Sequence, residues 1–429
     1  MSPTSYRQPG TVLTDHVLTV PLDHSAPGGE QIEVFAREVV AAGAARADLP
    51  WLVYLQGGPG FPAMRPVGRD GWLDRALRDY RVLLLDQRGT GRSTPATRQT
   101  LPALGGPAAQ AEYLSHFRAD SIVADAEVFR RRVARGAPWT VLGQSFGGFC
   151  AMTYLSQAPE GVAEALICGG LPGLTATADE VYEQTFGVVA ARNAEHYARY
   201  PGDADIARAI ARKLAAGPER LPGGGLLTVE GLQSLGLMLG MSTGSHRLHY
   251  LLEDALASGE LSDSFRYQAQ ELLSFWSGPL YGLLHEPAYA QGAATRWAAQ
   301  RVRARFPAFD PARALDGDGP LLFTGEMIFP WMFETDPVLA PLAAAAEQLA
   351  ARADWPALYD PARLAASNVP AAAAVYFRDM YVPAGLSLAT AAATGSLIPW
   401  VTSEWEHDAL RVSDGVVLDR LICLVRGEA

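Results

Sequence analysis

The 429-residue chain carries 35 basic and 46 acidic side chains, a formal net charge of −11, and 49% of its residues are hydrophobic. This length exceeds that of a common single domain, so we expect a core with a large insertion or a second domain. The acidic balance, without any run of lysines or arginines, argues against a nucleic-acid partner.

The three cysteines, Cys150, Cys168 and Cys423, include no Cys-x-x-Cys pair. They therefore indicate neither a disulfide framework nor a zinc site, and each lies in an apolar run typical of a buried free thiol. Residues 1–15 lack the apolar core of a signal peptide. No stretch is long and apolar enough to span a membrane. We therefore expect a cytoplasmic protein without membrane association.

The first half of the chain alternates between predicted strands and helices. Residues 12–20 and 30–40 show an alternating strand pattern, and four nearly continuous apolar runs follow, at residues 51–55, 80–85, 140–142 and 165–168. Such runs are typical of strands buried on both faces of a parallel sheet. Helix candidates, notably residues 121–135, lie between them. The alternation predicts a doubly wound α/β core.

The pattern changes near residue 175, where alanine-rich amphipathic stretches broken by glycine and proline replace the strands. We interpret this part as a helical cap inserted into the core, with most of its aromatic residues packed inside it. Strand patterns resume at residues 370–377 and 396–402. The sequence therefore predicts a core built from residues 1–174 and 336–429, and a cap over residues 175–335.

The most informative motif is Gly-Gln-Ser-Phe-Gly-Gly at residues 143–148, between an apolar run and a predicted helix. A Gly-x-Ser-x-Gly between a strand and a helix is the nucleophile elbow of an α/β-hydrolase. The glycines permit a turn so tight that a side chain would collide with the backbone. The alternative is a glycine-rich structural turn, because the motif also occurs by chance. Its context favours Ser145 as a nucleophile.

A serine nucleophile needs a base, normally histidine, and the chain order in α/β-hydrolases is Ser, then Asp or Glu, then His. Of the eight histidines, three precede Ser145 and four lie in the predicted cap, which leaves His407 after a late strand. Asp379 follows the preceding strand and would orient the imidazole. Asp354 and Asp360 are rivals that precede that strand. The alternatives are a surface histidine and a turn aspartate.

The segment Gln-Gly-Gly-Pro-Gly at residues 56–60 follows a predicted strand. The N–H groups of Gly57 or Gly58, together with that of Phe146, would form an oxyanion hole. A generic glycine-proline turn is the alternative. The chain contains neither a phosphate-binding loop of the Gly-x-x-x-x-Gly-Lys type nor a His-Glu-x-x-His metal motif. We therefore expect neither a metal nor a cofactor.

Six segments together carry a family resemblance: residues 20–24, 55–60, 86–93, 143–148, 379–382 and 403–407. They resemble the longer proline iminopeptidases, also called prolyl aminopeptidases, a branch of the α/β-hydrolase serine peptidases. The resemblance covers most of the chain, with the middle of the cap matched least. One departure is Gln56, where many members have histidine. For residues 86–93 we favour a structural role, with charged side chains bracing the oxyanion loop.

The resemblance implies release of an N-terminal proline from peptides through an acyl-enzyme, with Ser145, Asp379 and His407 as the triad. It also implies cap glutamates that bind the substrate's free ammonium, for which Glu286 and Glu326 are the best-placed matches. A structural pairing of these glutamates with an arginine is the alternative. Aromatic residues that could wall the proline pocket are Phe329 and Trp331.

Two other functions stay open. Fold and triad do not set the substrate, so a broader aminopeptidase or an esterase on the same scaffold is the first alternative. A catalytically silent binding protein that retains the pocket is the second, although the intact triad disfavours it. The expected partners are peptides with a free N-terminal proline, and the sequence leaves the oligomeric state open.

Overall fold

The computed structural model describes residues 4–69, 71–317 and 319–428. In chain order its strands are β1 (Thr4–Gln8), β2 (Thr11–Pro21), β3 (Gln31–Ala41), β4 (Trp51–Leu55), β5 (Arg81–Asp86), β6 (Trp139–Gln144), β7 (Val162–Cys168), β8 (Glu219–Arg220), β9 (Leu226–Leu227), β10 (Leu256–Ala257), β11 (Glu260–Leu261), β12 (Ala371–Tyr376) and β13 (Leu397–Thr402).

The helices of the described residues are α1 (Gly71–Asp79), α2 (Pro107–Ser115), α3 (Ala119–Arg132), α4 (Phe146–Gln157), α5 (Ala178–Arg199), α6 (Asp203–Ala216), α7 (Val229–Ser234), α8 (Gly244–Glu253), α9 (Asp263–Leu273), α10 (Pro279–Leu284), α11 (Ala298–Arg303), α12 (Pro311–Asp316), α13 (Met332–Thr335), α14 (Ala343–Ala351), α15 (Pro361–Ala365), α16 (Ala384–Ala392), α17 (Ala409–Val412) and α18 (Val416–Arg426). None of the helices in these described ranges has both the length and the apolar character needed to cross a bilayer.

Within the described ranges, nine strands form one sheet in the order β1-β2-β3-β5-β4-β6-β7-β12-β13. Strands β5, β4, β6, β7, β12 and β13 pair in parallel in that order. Strands β1, β2 and β3 extend the sheet with antiparallel pairs. The predicted α/β-hydrolase fold, a mostly parallel sheet flanked by helices, is confirmed.

The apolar runs of β4, β6 and β7 are buried on both faces of the sheet, because successive side chains of a strand point to opposite faces. Val53, Val141 and Ile167 belong to the core that includes α3 and α4. Their neighbours Leu52, Leu142 and Leu166 pack into a second core with α1 and α18. This two-sided burial explains why these strands read as continuous apolar sequence.

The chain between β7 and β12, which we call the helical segment, contains α5 to α15 and the two short strand pairs β8–β9 and β10–β11. Helix α5 begins with a capping box, in which the Thr177 side chain accepts the Glu180 N–H and the Glu180 carboxylate accepts the Thr177 N–H. The division into a cap over residues 175–335 and a two-part core stays a prediction.

Candidate active site

The turn between β6 and α4 holds Ser145 in a strained conformation, with φ 55° and ψ −124°. The flanking glycines are required by space. A Cβ at Gly147 would lie 1.9 Å from the carbonyl oxygen of Leu55, and a Cβ at Gly143 would lie 2.3 Å from the carbonyl oxygen of Gly147. A positive φ at a residue other than glycine is uncommon and is frequent at functional sites. The geometry is that of a nucleophile elbow.

Ser145, His407 and Asp379 form a continuous hydrogen-bonded row, although they follow three different strands. The Ser145 hydroxyl lies 2.9 Å from His407 Nε2, and His407 Nδ1 lies 2.7 Å from Asp379 Oδ2. The second carboxylate oxygen of Asp379 accepts the N–H groups of Tyr381 (2.9 Å) and Val382 (3.1 Å). The carboxylate is thereby fixed toward the imidazole, which is the arrangement that a serine-histidine-aspartate triad needs.

The two rival aspartates lie elsewhere. Asp354 is exposed and forms an ion pair with Arg352. Asp360 caps α15, where its carboxylate accepts the N–H groups of Ala362 and Arg363, each at 3.0 Å. Both carboxylates therefore have local structural partners, and Asp379 is the acid that reaches His407.

The electrostatic surroundings of His407 favour its protonated form. Burial lowers the pKa of this imidazole, but the charge and hydrogen bond of Asp379, aided by the nearby Glu326 carboxylate, more than offset that effect and raise the pKa above its ordinary 6.5. An imidazole with a raised pKa is a stronger base and stabilises the imidazolium that forms after it accepts the serine proton.

The predicted oxyanion loop lies directly against the elbow. A Cβ at Gly57 would lie 2.9 Å from the Ser145 Cβ, so only glycine permits this approach. A hydrogen bond holds the loop in place, in which the Gln87 side-chain amide donates to the Gln56 carbonyl at 2.9 Å. Phe146 is the first residue of α4, and an N–H at that position has no acceptor within its own helix. The described geometry leaves this N–H available beside Ser145.

Residues 86–93 make structural contacts, although the side chain that reaches the oxyanion loop is the uncharged Gln87 and not a charged one. The buried Arg88 guanidinium pairs with Asp125 at 2.7 Å and donates to the carbonyl oxygens of Leu22 and His116. Asp86 accepts the Arg92 N–H and pairs with Arg65. These charged groups are paired in structural contacts next to the oxyanion loop. The segment therefore contributes to the site by fixing the shape of the neighbouring backbone.

A small cavity, which we call the inner cavity, lies over Ser145. Its walls are formed by Gly58, Pro59, Ser145, Phe146, Phe149, His285, Ala288, Tyr289, Glu326 and Val382. It brings together the predicted nucleophile, the predicted oxyanion loop and one of the two predicted glutamates.

Glu326 is the only acidic side chain among the residues that wall the inner cavity in the described structure. Its carboxylate accepts the Tyr281 hydroxyl at 2.8 Å. Burial raises the pKa of Glu326 from its ordinary 4.5 to about 7, while His407 and the Tyr281 hydrogen bond oppose that rise. The carboxylate therefore has capacity for a cationic partner, which would stabilise its charged form.

Glu326 also borders a second, larger cavity of about 1030 Å³, which we call the outer cavity. Aromatic and aliphatic side chains dominate its walls, among them Phe61, Phe275, Trp276, Tyr281, Trp331 and Met332. Half of the Trp276 side chain is exposed. The outer cavity thus extends from the surface to Glu326, which lines both cavities.

The structure gives Glu286 a different place from the one predicted. Its two carboxylate oxygens accept the N–H groups of Ala298 (3.0 Å) and Ala299 (2.9 Å) at the start of α11. Burial raises the pKa of Glu286, and these two N–H groups oppose the rise. The side chain borders a separate small cavity with Pro287 and Trp297, so its carboxylate is directed to a helix terminus and away from Ser145.

The predicted aromatic walls also lie apart from Ser145. Phe329 is fully buried, stacked on Trp331 with ring centroids 5.9 Å apart and covered by the Arg303 guanidinium. Trp331 lines the outer cavity. The rings that line the inner cavity belong to Phe146, Phe149, His285 and Tyr289, of which the sequence predicted a role only for Phe146, through its N–H. Phe149 has a local signal, because it stands one helical turn after Ser145, whereas Tyr289 has none.

Comparisons with known proteins agree with the geometry. Residues 50–221 match the protein family described as alpha/beta hydrolase fold. A proline iminopeptidase from Aeromonas sobria is 49% identical over 426 residues, covering 99% of both chains. One from Aspergillus aculeatus is 37% identical over 418 residues, covering 94% of this chain and 92% of its own.

Among solved structures, an alpha/beta fold family hydrolase from Bacillus anthracis has a TM-score of 0.42 and 12% identity, covering 97% of this chain and 99% of its own. The two curated relatives match nearly the whole chain at well over 30% identity. This confirms the resemblance that the six sequence segments indicated. The chain is a hydrolase of the α/β-hydrolase fold, and it belongs to the proline iminopeptidase family.

Proposed function

We propose that this protein is a serine exopeptidase that releases N-terminal proline from peptides through an acyl-enzyme intermediate. One observation carries the proposal: the inner cavity is lined by Glu326 and by Ser145, whose hydroxyl lies 2.9 Å from His407 Nε2. A nucleophile explains acyl transfer in general. A carboxylate in the same small cavity explains a requirement for a free amino terminus.

In the proposed reaction, His407 Nε2 accepts the Ser145 proton as Oγ attacks the carbonyl carbon of the N-terminal proline. The N–H groups of Phe146 and of Gly57 or Gly58 stabilise the oxyanion. His407 then donates the proton to the nitrogen of the departing peptide as the C–N bond breaks. Water attacks the prolyl ester with His407 again as base, and collapse of the second tetrahedral intermediate frees proline and restores the serine hydroxyl.

We assign the ammonium of the substrate to Glu326 and not to Glu286. Glu326 faces the cavity that contains Ser145, and only the Tyr281 hydroxyl donates to its carboxylate within the described residues. The arriving ammonium would exchange part of its water shell for a charge-assisted hydrogen bond, which is stronger than one between neutral groups. The apolar pyrrolidine ring would lie against Phe149 and Tyr289.

The rest of the peptide is best accommodated by the outer cavity. Phe61 follows the oxyanion loop and lines this cavity, and its ring lies 5.5 Å from that of Tyr281. A leaving group departing from the oxyanion loop would therefore meet an apolar, aromatic surface that continues toward solvent. Cytoplasmic residence stays a prediction, which the three free cysteines favour.

The test compares hydrolysis of a prolyl chromogenic amide, its N-acetylated counterpart and a simple aryl ester. We expect rapid cleavage of the prolyl amide with the free amine and no cleavage of the N-acetylated amide. Ser145→Ala should lower kcat by about 10⁴-fold or more. The matched control is Ser156→Ala, which removes a buried hydroxyl from α4, the helix that follows Ser145. This variant should retain activity. Ester turnover with neither amide cleaved would replace the peptidase proposal with an esterase.

A further inference from the structure

The imidazole of His285 stands in the wall of the inner cavity, at the C-terminal end of α10. It is 2% exposed, and neither of its ring nitrogens has a hydrogen-bond partner among the described residues. Buried polar side chains are nearly always paired, and leaving one unpaired is unfavourable. An unpaired imidazole in the same cavity as Ser145 and Glu326 therefore points to a partner that arrives with the substrate.

The surroundings of His285 keep its ring neutral. Three tyrosine rings surround it, with centroids at 5.1 Å for Tyr281, 5.6 Å for Tyr289 and 6.5 Å for Tyr182. Burial lowers the pKa of His285 from 6.5 to about 4, against a small opposing effect of the Glu326 backbone carbonyl. At neutral pH the ring therefore offers one donor nitrogen and one acceptor nitrogen.

The chemistry of an N-terminal proline requires two acceptors. Its amino group is a secondary ammonium, which carries two N–H donors. Glu326 can accept one of them. The other N–H needs its own acceptor once it is buried against the cavity wall, because a buried charged donor without one is strongly unfavourable. A neutral acceptor meets this need without adding a second negative charge next to Glu326, whose ionisation burial already disfavours.

We propose that His285 accepts the second N–H of the substrate's secondary ammonium while Glu326 accepts the first. This inference rests on the proposed function, and it makes His285 a specificity-determining residue for the N-terminal ring nitrogen. A neutral imidazole has one N–H and one nitrogen with a lone pair, and the second of these can accept the substrate N–H.

The experiment crosses three variants with three substrates. The variants are His285→Phe, which removes the acceptor, His285→Gln, which retains one, and Tyr182→Phe, the control, which removes the hydroxyl of a buried ring packed against His285. The substrates are a prolyl chromogenic amide, its N-methylprolyl analogue, which has one N–H instead of two, and an aryl ester without an amino group. Steady-state kcat and KM are measured for each combination.

For His285→Phe we expect kcat/KM on the prolyl amide to fall about 10- to 100-fold, mainly through KM, because a buried charged donor loses its acceptor. On the N-methylprolyl amide the same variant should lose no more than a few-fold, since that substrate has no second N–H to place. His285→Gln should recover most of the loss, and the control Tyr182→Phe should retain wild-type kinetics on all three substrates.

Equal losses on the two amides would overturn the inference, because a merely structural role of His285 affects both substrates alike. So would a wild-type enzyme that cleaves the N-methylprolyl amide as well as the prolyl amide, a result that needs no variant to fold. These outcomes differ from failure of the proposed function. In that case the wild-type enzyme would hydrolyse the ester and leave both free-amine amides intact.

Discussion

Glu286 and Glu326 both belong to the helical segment, and burial raises the pKa of each, yet different atoms surround their carboxylates. The two oxygens of Glu286 are occupied by two backbone N–H groups at the start of α11. Glu326 has one phenol donor and faces the cavity over Ser145. The first carboxylate completes a helix terminus, and the second has room for a ligand.

The difference shows that burial and a raised pKa are poor guides to function when taken alone. A carboxylate has about four lone-pair sites, and the question is which of them the folded chain already uses. At Glu286 the helix N-terminus supplies both donors and a favourable dipole. At Glu326 the phenol of Tyr281 leaves most of that capacity to the contents of the cavity.

The largest effect should come from a matched pair of substitutions, Glu326→Gln and Glu286→Gln. We expect Glu326→Gln to lower kcat/KM on a prolyl amide by about 10²- to 10³-fold, because the substrate ammonium loses its buried counter-charge. Glu286→Gln should remain within a few-fold of wild type. Steady-state kinetics on the prolyl amide measure both. A comparable loss for Glu286→Gln would show that both glutamates bind the substrate ammonium. That result would contradict the assignment of the ammonium to Glu326 alone.

The same pair should have the opposite order in stability. The raised pKa of Glu326 means that the folded protein disfavours its charged form, so its contribution is lost as pH rises from 4.5 through about 7. At pH 8, Glu326→Gln should therefore be more stable than wild type by up to about 3 kcal/mol. In Glu286→Gln the gain from removing a charge with a raised pKa is opposed by about 1–2 kcal/mol, because one buried N–H of α11 loses its acceptor, so this variant should be the less stable of the two.

Thermal unfolding at pH 5 and pH 8 measures this contrast. The advantage of Glu326→Gln over wild type should be larger at pH 8 than at pH 5, where the wild-type carboxyl is protonated in the folded state. An advantage that does not change with pH would mean that the effect comes from packing and not from the charge.

The triad could be predicted from sequence because the constraints on it are local or ordered along the chain. Steric conflict at Gly143 and Gly147 fixes the spacing around Ser145. Asp379 and His407 each follow a parallel strand, and the carboxyl ends of parallel strands meet at one edge of the sheet. A strand pattern and the order Ser, Asp, His were therefore sufficient to select the two residues that hydrogen bonds join to Ser145 in the structure.

The cavity walls could be predicted only in part, because they depend on contacts between distant segments. His285 and Glu286 are neighbours in the chain, yet the first faces Ser145 and the second faces α11. Phe329 and Trp331 were chosen for their proximity to Glu326 in sequence, but their side chains pack elsewhere. Because the helices here are short, neighbouring side chains that point to opposite sides leave no periodic hydrophobic pattern in the sequence.

The smallest effect concerns Tyr281→Phe, which removes the hydroxyl that donates to Glu326 at 2.8 Å. Because that hydrogen bond lowers the pKa of Glu326, its loss should raise this pKa further above about 7. The low-pH limb of kcat/KM on the prolyl amide should then move to higher pH. At pH 6.5 we expect a loss of about 2- to 10-fold, which shrinks as the pH approaches 8.

The aryl ester provides the internal control, because its hydrolysis requires neutral His407 but no ionised Glu326. The Glu326 charge helps to raise the pKa of His407, so a less ionised Glu326 can only move the ester profile to lower pH. The two substrates should therefore respond in opposite directions in Tyr281→Phe, whereas Tyr289→Phe, whose ring borders the same cavity, should leave both profiles nearly in place. Parallel upward shifts on amide and ester would place the affected group at His407 and remove Glu326 from the recognition of the ammonium.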